Sequence, residues 1–210
     1  MNTTSPLILA IESAINGGSV SLLRDDVEIA GYIGRSGVSR AEDLLASIDD
    51  LLKHVGVPLK DLNLIAVSAG PGSFTGIRIG IATALGLKNG LRIPMASHSA
   101  LRAMAWKNLE EGGVTLALPV GRNAVCMQTF PADADEVTAP ADPHTVSVDE
   151  FTRLADSSDG QFLVHQTLFE MVTSRTNLRN FGENLAFAIG KLASREPDVI
   201  AEPLFISKAF

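Results

Sequence analysis

Short apolar runs separated by glycine or acidic turns alternate with longer segments of helical period, and this alternation predicts an α/β fold. Two observations carry most of it. Three strand-like runs lie within residues 7–33, and an apolar run at 64–67 passes through a glycine-rich turn into a helix. A third is Gly112-Gly113, after which a second set of strands begins, so the chain is expected to divide into halves at 1–111 and 112–210.

In chain order, Leu7-Ile8-Leu9-Ala10-Ile11, Ser19-Val20-Ser21-Leu22-Leu23 and the segment from Val27 to Ile33 read as strands joined by tight turns. Asn16-Gly17 is the stronger hairpin signal, because both residues tolerate left-handed backbone. Ser39-Arg40-Ala41-Glu42 has capping-box spacing and opens an amphipathic helix with Leu44, Leu45, Ile48, Leu51, Leu52 and Val55 on one stripe. After Gly56-Val57-Pro58 come the strand at 64–67, the turn and its helix, a short strand around Ile93-Pro94-Met95, and a helix over 97–109. In the second half, Val114 to Leu118 and Asn123 to Phe130 read as strands. Residues 131–150, polar and broken by Pro131, Pro140 and Pro143, read as an acidic loop. A helix over 148–154, a strand over 161–164 and a helix over 183–194 follow, and the apolar tail 203–206 is expected to dock on the body.

The chain turns on Ala69-Gly70-Pro71-Gly72-Ser73-Phe74-Thr75-Gly76-Ile77-Arg78-Ile79-Gly80. Gly70-Pro71-Gly72 is punctuation that ends a buried strand, and Ser73 or Thr75 is placed to cap the helix. A strand, a glycine turn and a helix N-terminus suggest an anion cradle. Yet the glycines at 70, 72 and 76 do not make Gly-x-Gly-x-x-Gly, and no Gly-Lys-Ser/Thr follows. Gly76, Gly80 and Ala84 instead recur at i, i+4 and i+8, a stripe without bulk beside the row Ile77, Ile81 and Leu85. Close helix packing, within the chain or between subunits, is the preferred reading.

Composition narrows the classes. With 46% hydrophobic and 20% charged residues over 210 positions, the chain has globular composition. No apolar run reaches spanning length and no leader pattern is seen, so a cytoplasmic protein without membrane contact is expected. Cys126, the single cysteine, excludes an intramolecular disulfide and reads as an ordinary strand residue. Net charge −7 and the absence of any Lys/Arg cluster argue against an autonomous nucleic-acid binder.

The eleven residues from Gly70 to Gly80 resemble the signature segment of the TsaB family of bacterial tRNA threonylcarbamoyladenosine biosynthesis proteins, relatives of TsaD and of the glycoprotease (M22-like) group. Weaker similarity runs from Ile8-Leu9-Ala10-Ile11 to Ser97-His98-Ser99. The resemblance implies an actin-like ATPase fold of two ribonuclease H-like half-domains, the second reduced or divergent. Such folds hold nucleotide between their halves with an acidic residue near the start of each. Here Glu12 and Ser13 stand at that place in the first half, as related substitutions of the family's Asp-Thr pattern, and Val120-Gly121-Arg122 lacks an acid in the second. A hydrogen-bonded strand-end carboxylate is the preferred reading of Glu12. His54, His98, His144 and His165 form no metal-binding pair and read as surface or helix-end residues. A serine protease built from Ser73 and His98 lacks a Gly-x-Ser-x-Gly elbow. The family's helix-start histidine is replaced by Arg40.

The expectation is thus a non-catalytic subunit, without catalytic residues, metal or cofactor of its own, ATP or ADP entering only in a complex. It would support a TsaD-like transferase together with a TsaE-like ATPase, form a homodimer when alone, and meet tRNA only indirectly. An actin-like ATPase or kinase and a glycoprotease-type peptidase are the alternatives. The implied interface is a helix bundle from 39–55 and 73–88, with Leu45, Ile48, Leu52, Gly72, Ser73, Phe74, Thr75, Gly76, Arg78, Gly80 and Ala84 facing the partner.

Overall fold

The computed structural model describes residues 5–34, 40–108, 113–121, 123–131, 141–172 and 177–204. The first half runs β1 (Leu7–Glu12), β2 (Ser19–Arg24), β3 (Val27–Ile33), α1 (Arg40–His54), β4 (Leu64–Ser68), α2 (Phe74–Leu91), β5 (Met95–His98), α3 (Ala100–Asn108). The second runs β6 (Val114–Pro119), β7 (Ala124–Phe130), β8 (His144–Ser147), α4 (Val148–Ser157), β9 (Gln161–His165), α5 (Gln166–Met171), β10 (Leu178–Gly182), α6 (Leu185–Arg195). Each half forms a five-stranded sheet, in the orders β3-β2-β1-β4-β5 and β8-β7-β6-β9-β10. The first three strands of each are antiparallel and the last two parallel, so the two halves repeat one topology.

Burial follows from position in the sheet. β1 lies at the centre with helices on both faces, and all six of its residues are buried, as a continuous apolar run requires. β3 is an edge strand, and Val27, Ile29, Tyr32 and Ile33 are exposed along it. On one face of the first sheet, Leu9, Ile11 and Leu22 pack with Leu44, Ile48, Leu51 and Leu52 of α1 and Ala84 of α2. On the other face lies α6, through Ala186, Ile189, Leu192 and Ala193 against Ile8, Ala10, Leu23 and Ala66. The exchange is reciprocal: α3 closes the second sheet, with Leu101, Met104 and Ala105 against Leu116, Leu118, Cys126 and Phe130. Each final helix thus belongs by packing to the other half.

The second half is reduced in its helices and not in its strands, since α4 and α5 have 10 and 6 residues where α1 and α2 have 15 and 18. The acidic loop expected over 131–150 needs correction. Residues 144–147 form β8 against β7, and Ser147 caps α4 by accepting from the Glu150 amide at 3.1 Å. Residues 132–140 lie outside the described residues. So do Ser39 of the expected capping box, Arg122, and residues 205–206 of the tail. Leu45 also departs from its expected stripe and is 62% exposed. Among the described residues no helix is long and apolar enough to cross a membrane.

Candidate functional site

The signature turn lies between β4 and α2. Ser73 caps α2, its Oγ accepting from the Gly76 amide at 3.3 Å, as one of the two expected caps. Below the helix lies the loop that follows β1. The Ser73 amide donates to the Ala14 carbonyl at 2.8 Å, and the Ser13 hydroxyl donates to the Gly76 carbonyl at 2.8 Å.

This contact explains the small-residue stripe. A Cβ on Gly76 would overlap the Ser13 carbonyl oxygen and stand 2.8 Å from Ala14 Cα. A Cβ on Gly72 would stand 2.6 Å from Ala14 Cβ, and one on Gly80 would overlap the Ser13 hydroxyl. Ala84 is 0% exposed in the core. The stripe therefore faces inward and packs on its own chain, which corrects the expectation that Gly72, Gly76, Gly80 and Ala84 meet a partner. Ile48 and Leu52 are corrected likewise: both are buried against the first sheet.

Glu12 is 1% exposed at the end of β1, and its Oε1 accepts from the amides of Ala14 at 2.5 Å and Ile15 at 3.0 Å. Both amides are thereby taken by the chain's own carboxyl group. Ser13 is engaged with Gly76. The gap between the halves beside this loop is lined by Ile15, Asn16, Gly18, Ile33, Gly34, His165, Thr167 and Glu183 and encloses about 40 Å³. That is room for a few waters, and nucleotide-sized ligands need roughly 300 Å³ or more. Asn16 Nδ2 donates to Thr167 Oγ1 at 2.9 Å across it. Among the described residues no three His, Cys, Asp or Glu side chains converge on one point.

Of the histidines expected at the surface or at helix ends, His98 and His165 are buried, His165 at a helix end. His165 accepts the Thr167 amide on Nδ1 at 3.2 Å, capping α5, with Nε2 3.4 Å from the Glu183 carbonyl. His98 is 0% exposed and neither ring nitrogen makes a hydrogen bond. It makes no bond to Ser73, whose hydroxyl oxygen caps α2. Burial pushes both imidazoles down to about 4 and the Cys126 thiol up to about 12.

These shifts have a sign. The unfolded chain takes up protons on both rings as pH falls through the ordinary histidine value near 6.5, while the folded chain resists until about 4. Stability is thus lost across that window, by roughly 3 kcal/mol per ring. His98→Leu removes an imidazole that makes no hydrogen bond. It is expected to leave stability at pH 7 within about 1 kcal/mol of the parent and to halve the loss between pH 6.5 and 4. Urea unfolding at both pH values checks this, and an unchanged slope would refute it.

Outside, α1 and α2 lie side by side and present Leu45, Ser73, Phe74, Thr75 and Arg78, all exposed. Phe74 is 54% exposed, with the Arg78 guanidinium 5.2 Å from its ring centre. Leu85 is 40% exposed on the same side and was not among the expected residues. Its spacing from Phe74 and Arg78, at i+11 and i+7, is the signal that marks it.

The profile of the family described as TsaD, tRNA N6-adenosine threonylcarbamoyltransferase, matches residues 38–193, well over half of the chain. The chain is 37% identical over 111 residues to the tRNA threonylcarbamoyladenosine biosynthesis protein TsaB of Escherichia coli (strain K12), covering 53% of this chain and 48% of that one. To TsaB of Bacillus subtilis (strain 168) it is 36% identical over 98 residues, 47% and 43% of the two chains. It thus spans about half the length of the curated relatives it matches. A solved Pseudomonas aeruginosa protein, described as similar to peptidase YeaZ, superposes with a TM-score of 0.70 at 21% identity over 96% of this chain and 100% of that one. Ethanolamine utilization protein EutJ from Carboxydothermus hydrogenoformans superposes with a TM-score of 0.53 at 9% identity over 89% of both. At such identities these show the fold alone, the two-half architecture of actin-like ATPases. On the profile match and these relatives, the chain belongs to the TsaD family, tRNA N6-adenosine threonylcarbamoyltransferase, and is a TsaB-like member of it.

Proposed function

We propose that the chain is a non-catalytic subunit for the formation of threonylcarbamoyladenosine in tRNA, acting by docking on a TsaD-like transferase. The observation that carries the reading is the division of labour in α1 and α2. Their inner sides are filled by their own chain, while Leu45 of α1 and Phe74 and Leu85 of α2 stand exposed, with Arg78 against the Phe74 ring. Exposed large apolar side chains on an outer helix face suit association better than chemistry. The same face would pair two copies when the transferase is absent. A TsaE-like ATPase would bring nucleotide to the complex, since this chain's own acid at Glu12 is taken up by its loop. Net charge −7 leaves tRNA to the partner, in the cytoplasm.

Mass spectrometry of tRNA nucleosides after depletion tests the proposal. Threonylcarbamoyladenosine is expected to fall and to return with the parent gene; an unchanged level would remove the assignment. The purified chain alone is expected to turn over neither ATP nor peptide. Steady ATP hydrolysis abolished by Glu12→Ala would favour the ATPase alternative instead.

A further inference from the structure

Residues 196–204 run on from α6 and return to the first half, and their hydrogen bonds end on the signature turn. At their root, Glu196 grips Arg102 of α3 with both carboxylate oxygens, at 2.7 Å each. They then lie along the free edge of β5: the Ser97 amide donates to the Val199 carbonyl at 2.9 Å, the Ala201 amide to the Ser97 carbonyl at 3.0 Å, and the Ser97 hydroxyl to the Ala201 carbonyl at 3.0 Å. Finally the Leu204 amide donates to the Ala69 carbonyl at 2.8 Å. The Leu204 carbonyl stands so near Gly70 that a Cβ there would lie 3.1 Å away.

Other bonds hold the turn as well, among them the Gly70 amide donating to Ser68 Oγ at 3.2 Å. The Ala69 amide donates to the His98 carbonyl at 2.8 Å, the Ala100 amide to the Gly70 carbonyl at 2.7 Å, and the Ser73 amide to the Ala14 carbonyl at 2.8 Å. The bonds to His98, Ala100 and Ala14 come from the first half, and the bond from Leu204 comes from the segment that continues the last helix of the second half. Ser73 and Phe74 emerge directly from this turn.

The geometry points to residues 196–204 as a positioning strap for the partner-facing surface: they hold the 69–73 turn, and through it Phe74, in the arrangement that the transferase meets. The inference rests on the docking role proposed above. Covering the β5 edge accounts for the bonds to Ser97, but not for the bond to Ala69, which lies past the end of β4. Because the strap is rooted on α3 and α6, it also ties the position of those two helices to that of Phe74.

The test uses the full chain and three variants. Leu204→Pro removes the amide that reaches Ala69, Arg102→Gln loosens the root, and Glu202→Ala alters an exposed strap residue as a control. Calorimetric titration with a TsaD-like transferase is read beside amide exchange of residues 70–77 and the urea midpoint. Leu204→Pro and Arg102→Gln are expected to remain folded, to exchange these amides at least tenfold faster, and to bind at least tenfold more weakly, with Glu202→Ala like the parent. Parent-like affinity in both strap variants would overturn the inference, as would weaker binding without faster exchange at 70–77. If the parent itself does not bind the transferase, the docking role fails, and the exchange rates still decide whether the strap holds the turn.

Discussion

Gly76→Val is expected to destabilise the chain by more than about 3 kcal/mol. The first side-chain atom would overlap the Ser13 carbonyl oxygen and stand 2.8 Å from Ala14 Cα, both backbone, so no rotamer relieves the clash. Either α2 lifts from the sheet or the loop after β1 moves, and the second breaks the bonds from Ser73 to Ala14 and from Ser13 to Gly76. Gly86 in the same helix is the control. A Cβ there meets nothing within 4 Å, so Gly86→Ala is expected to stabilise by about 0.5–1 kcal/mol through helix propensity. Urea unfolding followed by circular dichroism reads both. A Gly76→Val variant as stable as the parent would place the loop after β1 elsewhere.

The stripe shows how far the sequence could be read. Spacing of Gly76, Gly80 and Ala84 predicts close approach, and close approach is found, but spacing carries no mark of what approaches. The filler is Ser13 and Ala14, some sixty residues earlier in the chain, and nothing local to α2 encodes them. Strands buried on both faces, such as β1 and β4, were legible because they are continuous apolar runs. The β3 boundaries were legible because turn residues flank it. β8 and β10 were missed: as edges of the second sheet, reading His-Thr-Val-Ser and Leu-Arg-Asn-Phe-Gly, each buries few residues. α5 was missed because six residues are too few to display a helical period. The burial of His98 and His165 was not legible for a related reason, since each ends a short strand. Of the residues expected at a partner interface, five are exposed, Leu45 and Ser73, Phe74, Thr75 and Arg78.

Leu45→Asp combined with Phe74→Asp is expected to abolish association with a TsaD-like transferase while leaving the fold intact. The side chains stand 62% and 54% exposed, so their replacement removes little internal packing, and exposed substitutions usually shift stability by less than about 0.5 kcal/mol. The lost contact between Arg78 and the Phe74 ring is worth about 0.5–1 kcal/mol at an exposed site. An aspartate in the first turn of α2 returns part of that, because it faces the positive end of the helix. At an interface the balance is different. Removing an aromatic anchor costs about 2 kcal/mol or more, and two carboxylates trapped without partners add to it, so affinity should fall by more than roughly a hundredfold. Ala84→Arg cannot serve for this purpose, because Ala84 is 0% exposed and a buried arginine would unfold the chain before reporting on any surface. The measurement is calorimetric titration with the transferase, beside complementation of a depleted strain read by tRNA nucleoside mass spectrometry. Undiminished binding by a folded double variant would reject this face as the docking surface, and full rescue of the modification would do the same in the cell.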